Sequence, residues 1–216
     1  MNTRAFCFDA GDVLYYRPHK GKFLDPFLHD LRLDPNQIDK VAKRELQRRA
    51  WCGEIGYADY HIQFLGLLGV PSDQLERGRG ILAQEEESVE FFEGVSETLH
   101  ALRARGFLLG IITDTATPEK IKLQRLARGG FGDVWSAYIA SCVVGARKPD
   151  PRIYHAALAA LNVRAGESVF VGHKVRELSG ARQIGMKTVA FNYKDDAPAD
   201  FHIAHFPELL NLSALI

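Results

Sequence analysis

The fold is decided by Phe6-Cys7-Phe8-Asp9-Ala10-Gly11-Asp12-Val13-Leu14, where an apolar run ends at a carboxylate and a glycine. Such a run is typical of a strand that is buried in a parallel sheet. Open parallel sheets bind their ligands in the crevice beyond the carboxyl ends of the strands. Asp9 is therefore predicted to lie at a ligand site. Because an Asp-x-Gly sequence is also an ordinary turn signal, the rest of the chain has to decide between the two interpretations.

Three further segments occur at the spacing of alternating strands and helices. One apolar run, residues 107–112, continues into Thr113-Asp114-Thr115, and another, residues 168–172, continues into His173. Between them, Lys148-Pro149-Asp150-Pro151 is predicted to open a helix, because proline is favoured at the first helical position. Each segment places a residue suited to phosphate chemistry at the end of an element.

The pattern after residue 92 predicts strands at 107–112, 135–140, 168–171 and 187–191, which alternate with helices at about 95–105, 118–127, 151–161 and 175–184. This alternation predicts an α/β fold with a doubly wound parallel sheet and right-handed crossovers. Residues 17–88 are different, because they are rich in helix formers and show no second buried strand. Helices are predicted there from Asp34-Pro35 and from Tyr57. We predict a core of residues 1–16 and 89–216 with an inserted helical segment, residues 17–88.

Together the four motifs resemble the haloacid dehalogenase (HAD) superfamily of hydrolases, and the resemblance extends through the segment Gly180–Met186. It implies a Rossmann-like core, with the inserted segment as an α-helical cap that closes over the active site. It also implies Asp9 as the nucleophile that forms an aspartyl intermediate, Thr113 as the hydroxyl that holds a phosphoryl oxygen, and Lys148 as the offsetting cation. A carboxylate that attacks an anionic phosphoryl group needs positive charge beside it.

One departure from the phosphatases of that superfamily concerns the general acid. They usually carry a second aspartate two residues after the nucleophile, and this chain has Gly11 there. Asp12 lies one residue too late. It cannot be assumed to replace the missing acid, because a shift of one residue redirects a side chain. General acid catalysis typically contributes about 10²–10⁴-fold to the rate. A phosphatase that uses this site is therefore expected to be slow unless water or another group supplies the proton.

A second departure concerns the metal. His173 stands where such phosphatases place a magnesium-binding aspartate. Magnesium prefers hard oxygen ligands, whereas imidazole suits zinc, manganese or nickel. The divalent metal that the resemblance implies is thus expected to be weakened, replaced or lost. The candidate ligands are Asp9, Gly11, His173 and Glu177, the last in place of a further acidic residue of the motif.

The candidate substrate-binding residues are Gly11, Asp114 and Lys174. Lys174 and Arg176 bring fixed positive charge to the strand end at His173, where they could offset substrate charge in place of a metal ion. The simpler interpretation of both is an exposed first helical turn. The run Glu85-Glu86-Glu87 is predicted to be a solvated helix end.

Three functions remain open from the sequence. The first is a HAD-like hydrolase, most like the phosphatases, which acts on a small phosphorylated metabolite through Asp9. The second is a catalytically silent protein that keeps the fold to bind a ligand or partner, because both the acid and the metal carboxylate are missing. The third is a metal-independent 2-haloacid dehalogenase, which the short spacing between Gly172 and Gly180 favours.

Composition limits the class of partner. The chain has 216 residues, of which 46% are hydrophobic, and its 27 basic residues equal its 27 acidic ones. No general field attracts nucleic acid or an anionic membrane, and no apolar run reaches the length of a membrane span. The three cysteines lack CxxC spacing and favour a reducing compartment. We predict a cytoplasmic protein without a signal peptide that acts on a small molecule, with its oligomeric state open.

Overall fold

The computed structural model describes residues 2–193 and 198–213. The strands within these residues are β1 (Ala5–Phe8), β2 (Tyr15–Tyr16), β3 (Glu90–Phe91), β4 (Leu108–Thr113), β5 (Ala137–Ala140), β6 (Ser168–Gly172), β7 (Lys187–Phe191) and β8 (Phe201–Ile203). Six of these described strands form one parallel sheet in the order β5-β4-β1-β6-β7-β8. The predicted α/β fold with a doubly wound parallel sheet is confirmed.

Helices connect the strands and cover both faces of the sheet. Within the described residues they are α1 (Leu24–Asp30), α2 (Lys40–Trp51), α3 (Tyr57–Leu67), α4 (Leu75–Glu87), α5 (Val95–Ala104), α6 (Glu119–Ala127), α7 (Ser141–Val144), α8 (Pro151–Leu161), α9 (Val175–Gln183) and α10 (Leu209–Leu212). Short 3-10 helices lie at Pro35–Gln37, Ser72–Gln74, Ala165–Glu167 and Phe206–Glu208. None of the described helices is long and apolar enough to cross a bilayer.

Strand β1 is apolar throughout because both of its faces are covered. Phe6 and Phe8 pack into the hydrophobic cluster on one side of the sheet, and Ala5 and Cys7 pack into the cluster on the other side. Full burial of one large apolar side chain stabilises a fold by about 1.5–3 kcal/mol. These contacts fix β1 in the middle of the sheet, between β4 and β6, and so fix the position of the residue that follows it, Asp9.

Residues 17–88 contain α1 to α4 and have a hydrophobic cluster of their own. Its buried members are Phe27, Leu28, Leu65, Leu68, Val70 and Leu82. The antiparallel pair of β2 and β3 joins the two ends of this segment. Sequence analysis missed the pair, because two residues a strand are too few to show a periodicity. The division of the chain into a core and a cap stays a prediction.

One predicted helix start is wrong. The helix expected from Asp34-Pro35 begins at Lys40 instead, because the Asp39 side chain accepts hydrogen bonds from the backbone N–H groups of Val41 and Ala42. Asp34 caps only the 3-10 helix Pro35–Gln37, and Ile38 is extended. Two aspartates in close succession both satisfy the rule for a helix cap, so the sequence does not decide between them.

Helix α9 approaches the loop that carries Lys148 at a glycine. A Cβ atom on Gly180 would lie 2.7 Å from Pro149 Cβ and 2.9 Å from Pro149 O, closer than real Cβ atoms come to such groups. Only glycine therefore permits this approach. The contact matters for function, because Pro149 directly follows Lys148.

We expect Gly180→Ala to lower the free energy of unfolding by about 1–3 kcal/mol, because overpacking against backbone cannot be relieved by a rotamer change. The matched control is Gly80→Ala in α4, where an added Cβ meets nothing within 4 Å. That control should instead stabilise the protein by up to about 1 kcal/mol through helix propensity. Urea denaturation of the two variants measures the difference. Equal effects of the two substitutions would contradict the packing argument.

Candidate active site

The strand order places three of the predicted site residues at one edge of the sheet. Asp9 directly follows β1, Thr113 ends β4, and His173 directly follows β6. The Asp9 N–H donates to the Val171 carbonyl at 3.0 Å, which continues the pairing of β1 with β6. Asp9 and Thr113 are both buried. The edge thus presents a carboxylate and a hydroxyl on adjacent, rigid elements.

Lys148 enters this edge from the loop before α8. Its ammonium Nζ lies 2.6 Å from Asp9 Oδ1 and 3.0 Å from Glu177 Oε2, and it donates to the Ile112 carbonyl at 2.9 Å. The backbone N–H of Lys148 donates to Asp114 Oδ1 at 3.0 Å. Burial disfavours the charged form of Lys148, but the carboxylates of Asp9 and Glu177 raise its pKa above the usual range. The side chain is therefore a fixed cation.

The same contact sets the charge of Asp9. Burial alone would raise the pKa of Asp9, but the ammonium groups of Lys148 and Lys174 lower it, and the net pKa lies below the usual value. Asp9 is therefore a carboxylate at neutral pH. Its Oδ1 accepts hydrogen bonds from Lys148 and from the Ala10 N–H, and its Oδ2 lies 3.6 Å from His173 Nδ1.

The predicted metal ligands do not fit magnesium. His173 lies between two carboxylates, with Nδ1 3.6 Å from Asp9 Oδ2 and Nε2 3.7 Å from Asp12 Oδ2. Burial is the main cause that lowers the pKa of His173, so imidazole is the form present at neutral pH. Glu177 is buried and lies 3.0 Å from the Lys148 ammonium and 3.2 Å from that of Lys174.

Beside Asp9 Oδ2 stands the imidazole of His173, with the half-exposed carboxylate of Asp12 on its other side. Magnesium needs a near-octahedral set of oxygen ligands. In residues 2–193 and 198–213, no group of three or more His, Cys, Asp or Glu side chains is arranged to hold a metal ion. The described structure therefore gives no support to a cluster of metal ligands around Asp9, and the assignment of Asp9, Gly11, His173 and Glu177 as ligands stays a prediction.

The predicted substrate-binding residues Gly11, Asp114 and Lys174 line one cavity of about 290 Å³, together with Asp9, Thr113 and Lys148. Asp114 Oδ1 holds the backbone of Lys148, and burial raises the pKa of its carboxyl. The side chain of Lys174 is half exposed, and its ammonium lies 3.2 Å from Glu177. Lys174 thus combines an ion pair with a place on the cavity wall.

Sequence analysis missed the residues that the helical segment contributes. The Glu86 carboxylate accepts a hydrogen bond from the Tyr57 hydroxyl at 2.9 Å and lies 3.2 Å from His61 Nε2. It also accepts a hydrogen bond from Thr117 of the core at 3.4 Å. Despite its burial, His61, Tyr57 and Arg125 lower the pKa of Glu86 to about 2. The prediction that residues 85–87 form a solvated helix end is wrong, because Glu86 and Glu87 pair with Arg125 and Glu85 accepts hydrogen bonds from the backbone N–H groups of Gly21 and Phe23.

Comparison with known proteins decides the family. A sequence model described as haloacid dehalogenase-like hydrolase matches residues 3–185. The chain belongs to this family of hydrolases. The glyceraldehyde 3-phosphate phosphatase of Pyrococcus furiosus is 34% identical to this HAD-like hydrolase over 128 residues, which cover 55% of this chain and 52% of the relative. The chain thus matches about half the length of that relative.

Solved structures share the whole fold of this HAD-like hydrolase at low sequence identity. A 2-haloacid dehalogenase from Pseudomonas syringae pv. Tomato is 22% identical, with a TM-score of 0.75 and coverage of 99% of both chains. A predicted phosphoglycolate phosphatase from Haemophilus somnus is 19% identical, with a TM-score of 0.72 and coverage of 99% of both chains. At these identities the likeness supports the fold alone.

Replacement of Gly11 and His173 by aspartate, the residue expected at both positions, should create a magnesium site in this HAD-like hydrolase. A Cβ on Gly11 meets nothing within 4 Å, so a side chain can start there without a clash. We expect Gly11→Asp with His173→Asp to bind magnesium at least about tenfold more tightly than the wild type, because carboxylates are the ligands it prefers. Isothermal titration calorimetry and the rise of the melting temperature with magnesium measure the effect.

The two single variants are the controls, and their effects should be non-additive because both positions flank Asp9. If the wild type bound magnesium as tightly as the double variant, the argument from the donor set would be wrong.

Proposed function

We propose that this HAD-like hydrolase is a phosphatase, which hydrolyses small phosphate monoesters through an aspartyl intermediate on Asp9. The observation that carries the proposal is the buried Lys148 ammonium, 2.6 Å from Asp9 Oδ1. A carboxylate nucleophile and a phosphoryl group repel each other unless a cation is already in place. Lys148 needs no reorganisation to act, because Glu177, Ile112 and Asp9 hold its ammonium group.

The reaction follows from the two oxygens of Asp9. Oδ1 is held by Lys148 and Ala10, so Oδ2 is the atom that attacks phosphorus. A bond from Oδ2 to phosphorus forms, the ester oxygen leaves with the electron pair of the broken P–O bond, and it takes a proton. Water then attacks the aspartyl phosphate, which releases phosphate and restores the carboxylate. The Thr113 hydroxyl, on the neighbouring strand end, would hold a phosphoryl oxygen.

The proton for the leaving oxygen is the weak point of the site. Gly11 offers no side chain, and Asp12 has a left-handed backbone with φ of 59° and a side chain that is half exposed and directed towards His173. Water is therefore the proton donor in this proposal. The expected consequence is slow turnover of alkyl esters, whose leaving groups need an acid most.

Fixed cations offset the substrate charge in this proposal. Lys148 and Lys174 both line the cavity. The uncharged His173 stands where a carboxylate would be needed to bind magnesium. We therefore expect turnover to depend weakly on divalent metals.

The proposal includes a cap role for residues 17–88. Trp51, Tyr57 and Glu86 of this segment line the cavity opposite the strand ends. The guanidinium of Arg147 in the core lies 4.5 Å from the centre of the Trp51 ring, a cation–π contact between the two parts. A cover of this kind excludes water from the reacting groups.

The charge of the cavity favours phosphatase activity over the two alternatives. Among the described residues, five cationic side chains line it, Arg17, Lys20, Lys122, Lys148 and Lys174, and they outnumber the four acidic ones, Asp9, Asp12, Glu86 and Asp114. They suit a phosphate dianion better than the single charge of a 2-haloacid. A silent binding protein has no use for a carboxylate whose pKa is held low beside a buried ammonium, and such a pair is what a nucleophile needs.

Asp9→Asn should abolish turnover of p-nitrophenyl phosphate, a loss of at least about 10³-fold, because the amide cannot act as the nucleophile. The control, Asp73→Asn, alters an exposed aspartate outside the cavity and should be as active as the wild type. Mass spectrometry of acid-quenched wild type should find the phosphoryl group on Asp9.

Circular dichroism should show that both variants remain folded. Full activity of Asp9→Asn, or release of chloride from chloropropionate in place of phosphate release, would overturn the proposal. An absence of turnover with a broad panel of esters and metals would favour the silent protein.

A further inference from the structure

Lys122 is a buried cation on the cavity wall. It lies on α6 and is 5% exposed, and its ammonium donates to the Tyr15 hydroxyl at 2.7 Å. No carboxylate of the described residues lies within 4 Å of that ammonium. Burial of a charge without a counter-ion is unfavourable. The geometry therefore leaves a positive charge, directed into the cavity region, without an anion to balance it.

The other buried lysine of the cavity is balanced. Lys148 lies 2.6 Å from Asp9 and 3.0 Å from Glu177, and the half-exposed Lys174 lies 3.2 Å from Glu177. The contrast separates two groups of cations in one cavity. The group around Asp9 would serve the reacting phosphoryl group, whereas the Tyr15 phenol is the only hydrogen-bond partner of the Lys122 ammonium among the described residues.

Arg17 gives independent support for positive charge that lacks a partner in this cavity. It lines the same cavity, and its Nε is buried without a hydrogen-bond partner in the described part of the chain. Buried nitrogens of this kind are rare in folded proteins unless a ligand or water completes them. A guanidinium is well suited to bind a carboxylate or phosphate through two N–H groups.

The surroundings of Tyr15 support an excess of positive charge at this place. Burial opposes ionisation of its phenol, yet the cations of Lys122, Arg125 and Arg17 lower the pKa of Tyr15 below its usual value. The backbone of Tyr15 is tied to the loop after Asp9, because the Asp12 N–H donates to the Tyr15 carbonyl at 2.7 Å. The phenol is thereby held on the cavity wall.

The carboxylates of Glu86 and Glu87 contact Arg125, whose guanidinium lies 5.9 Å from the centre of the Tyr15 ring, and both already have partners. Glu87 lies 2.7 Å from Arg125 and 2.7 Å from Arg128. Glu86 lies 3.2 Å from His61 and 3.6 Å from Arg125. Neither of them pairs with Lys122 or Arg17 within 4 Å.

We propose that Lys122, Arg17 and the Tyr15 hydroxyl form a subsite for a second anionic group of the substrate. This inference rests on the proposed function and narrows it to phosphate monoesters that carry a carboxylate or a second phosphate. The reacting phosphoryl group binds at Asp9 and Lys148. The second anion pairs with the unbalanced cations elsewhere in the same cavity.

The experiment compares kcat/KM for matched esters that differ only in the distal group. Phosphoglycolate is paired with ethylene glycol monophosphate, and propanediol bisphosphate with propanediol monophosphate. We expect the wild type to prefer the anionic member of at least one pair by about tenfold or more, the scale of a charged hydrogen bond. The preferred pair tells a carboxylate from a phosphate subsite.

Lys122→Met and Arg17→Gln should each reduce this preference ratio about tenfold or more. Lys120→Met is the control, because Lys120 is exposed on the same helix and lies outside the cavity; its ratio should equal that of the wild type. Arg17→Gln decides the question if Lys122→Met does not fold, because Arg17 is only partly buried.

If the wild type hydrolysed the esters with a neutral distal group as well as those with an anionic one, the subsite would be overturned and the proposed function would stand. An unchanged ratio in the folded variants would also overturn it. If the wild type hydrolysed neither member of any pair, the proposed function itself would fail, and the subsite with it.

Discussion

Lys148 holds a full positive charge where only 1% of its side chain is exposed, and much of the fold serves to keep it there. Asp114 fixes its backbone, Gly180 lets α9 approach the next residue, and α9 brings Glu177 to its ammonium. Removal of one partner from a buried ion pair typically costs about 3–5 kcal/mol. Loss of Lys148 would remove the ammonium that pairs with Asp9 and would leave Glu177 with the half-exposed Lys174, so the same interaction supports both the fold and the chemistry.

Under the proposed function, this arrangement lets the site keep a reaction although two expected groups are missing. The nucleophile and its cation belong to rigid elements and depend on each other, whereas Gly11 and His173 change only what surrounds them. Charge can be offset by fixed ammonium groups, but a missing proton donor has no such substitute in the described structure. The site should therefore turn over best those substrates that have good leaving groups or that are bound strongly through other parts of the molecule.

Much of this was predictable because the signals are local. The run before Asp9 and the Lys148-Pro149-Asp150-Pro151 helix start each lie within a few residues, and one rule of topology brings strand ends together. The residues that were missed depend on distant pairs: Lys122 and Tyr15 are 107 positions apart, and Glu86 and Thr117 are 31 apart. No periodicity reports such pairs, so a run of acidic residues was wrongly interpreted as solvated.

The two cations of the proposed subsite come from different parts of the chain. Lys122 belongs to α6 of the core, whereas Arg17 directly follows β2, where the chain leaves for the helical segment. An anion that bound both would contact the two parts at once. If residues 17–88 move as the proposed cap role requires, such a substrate would favour the arrangement in which both cations face the cavity, because a ligand stabilises the state that binds it. An ester with a neutral distal group would lack that effect. Binding of the second anion and closure over Asp9 would therefore be coupled.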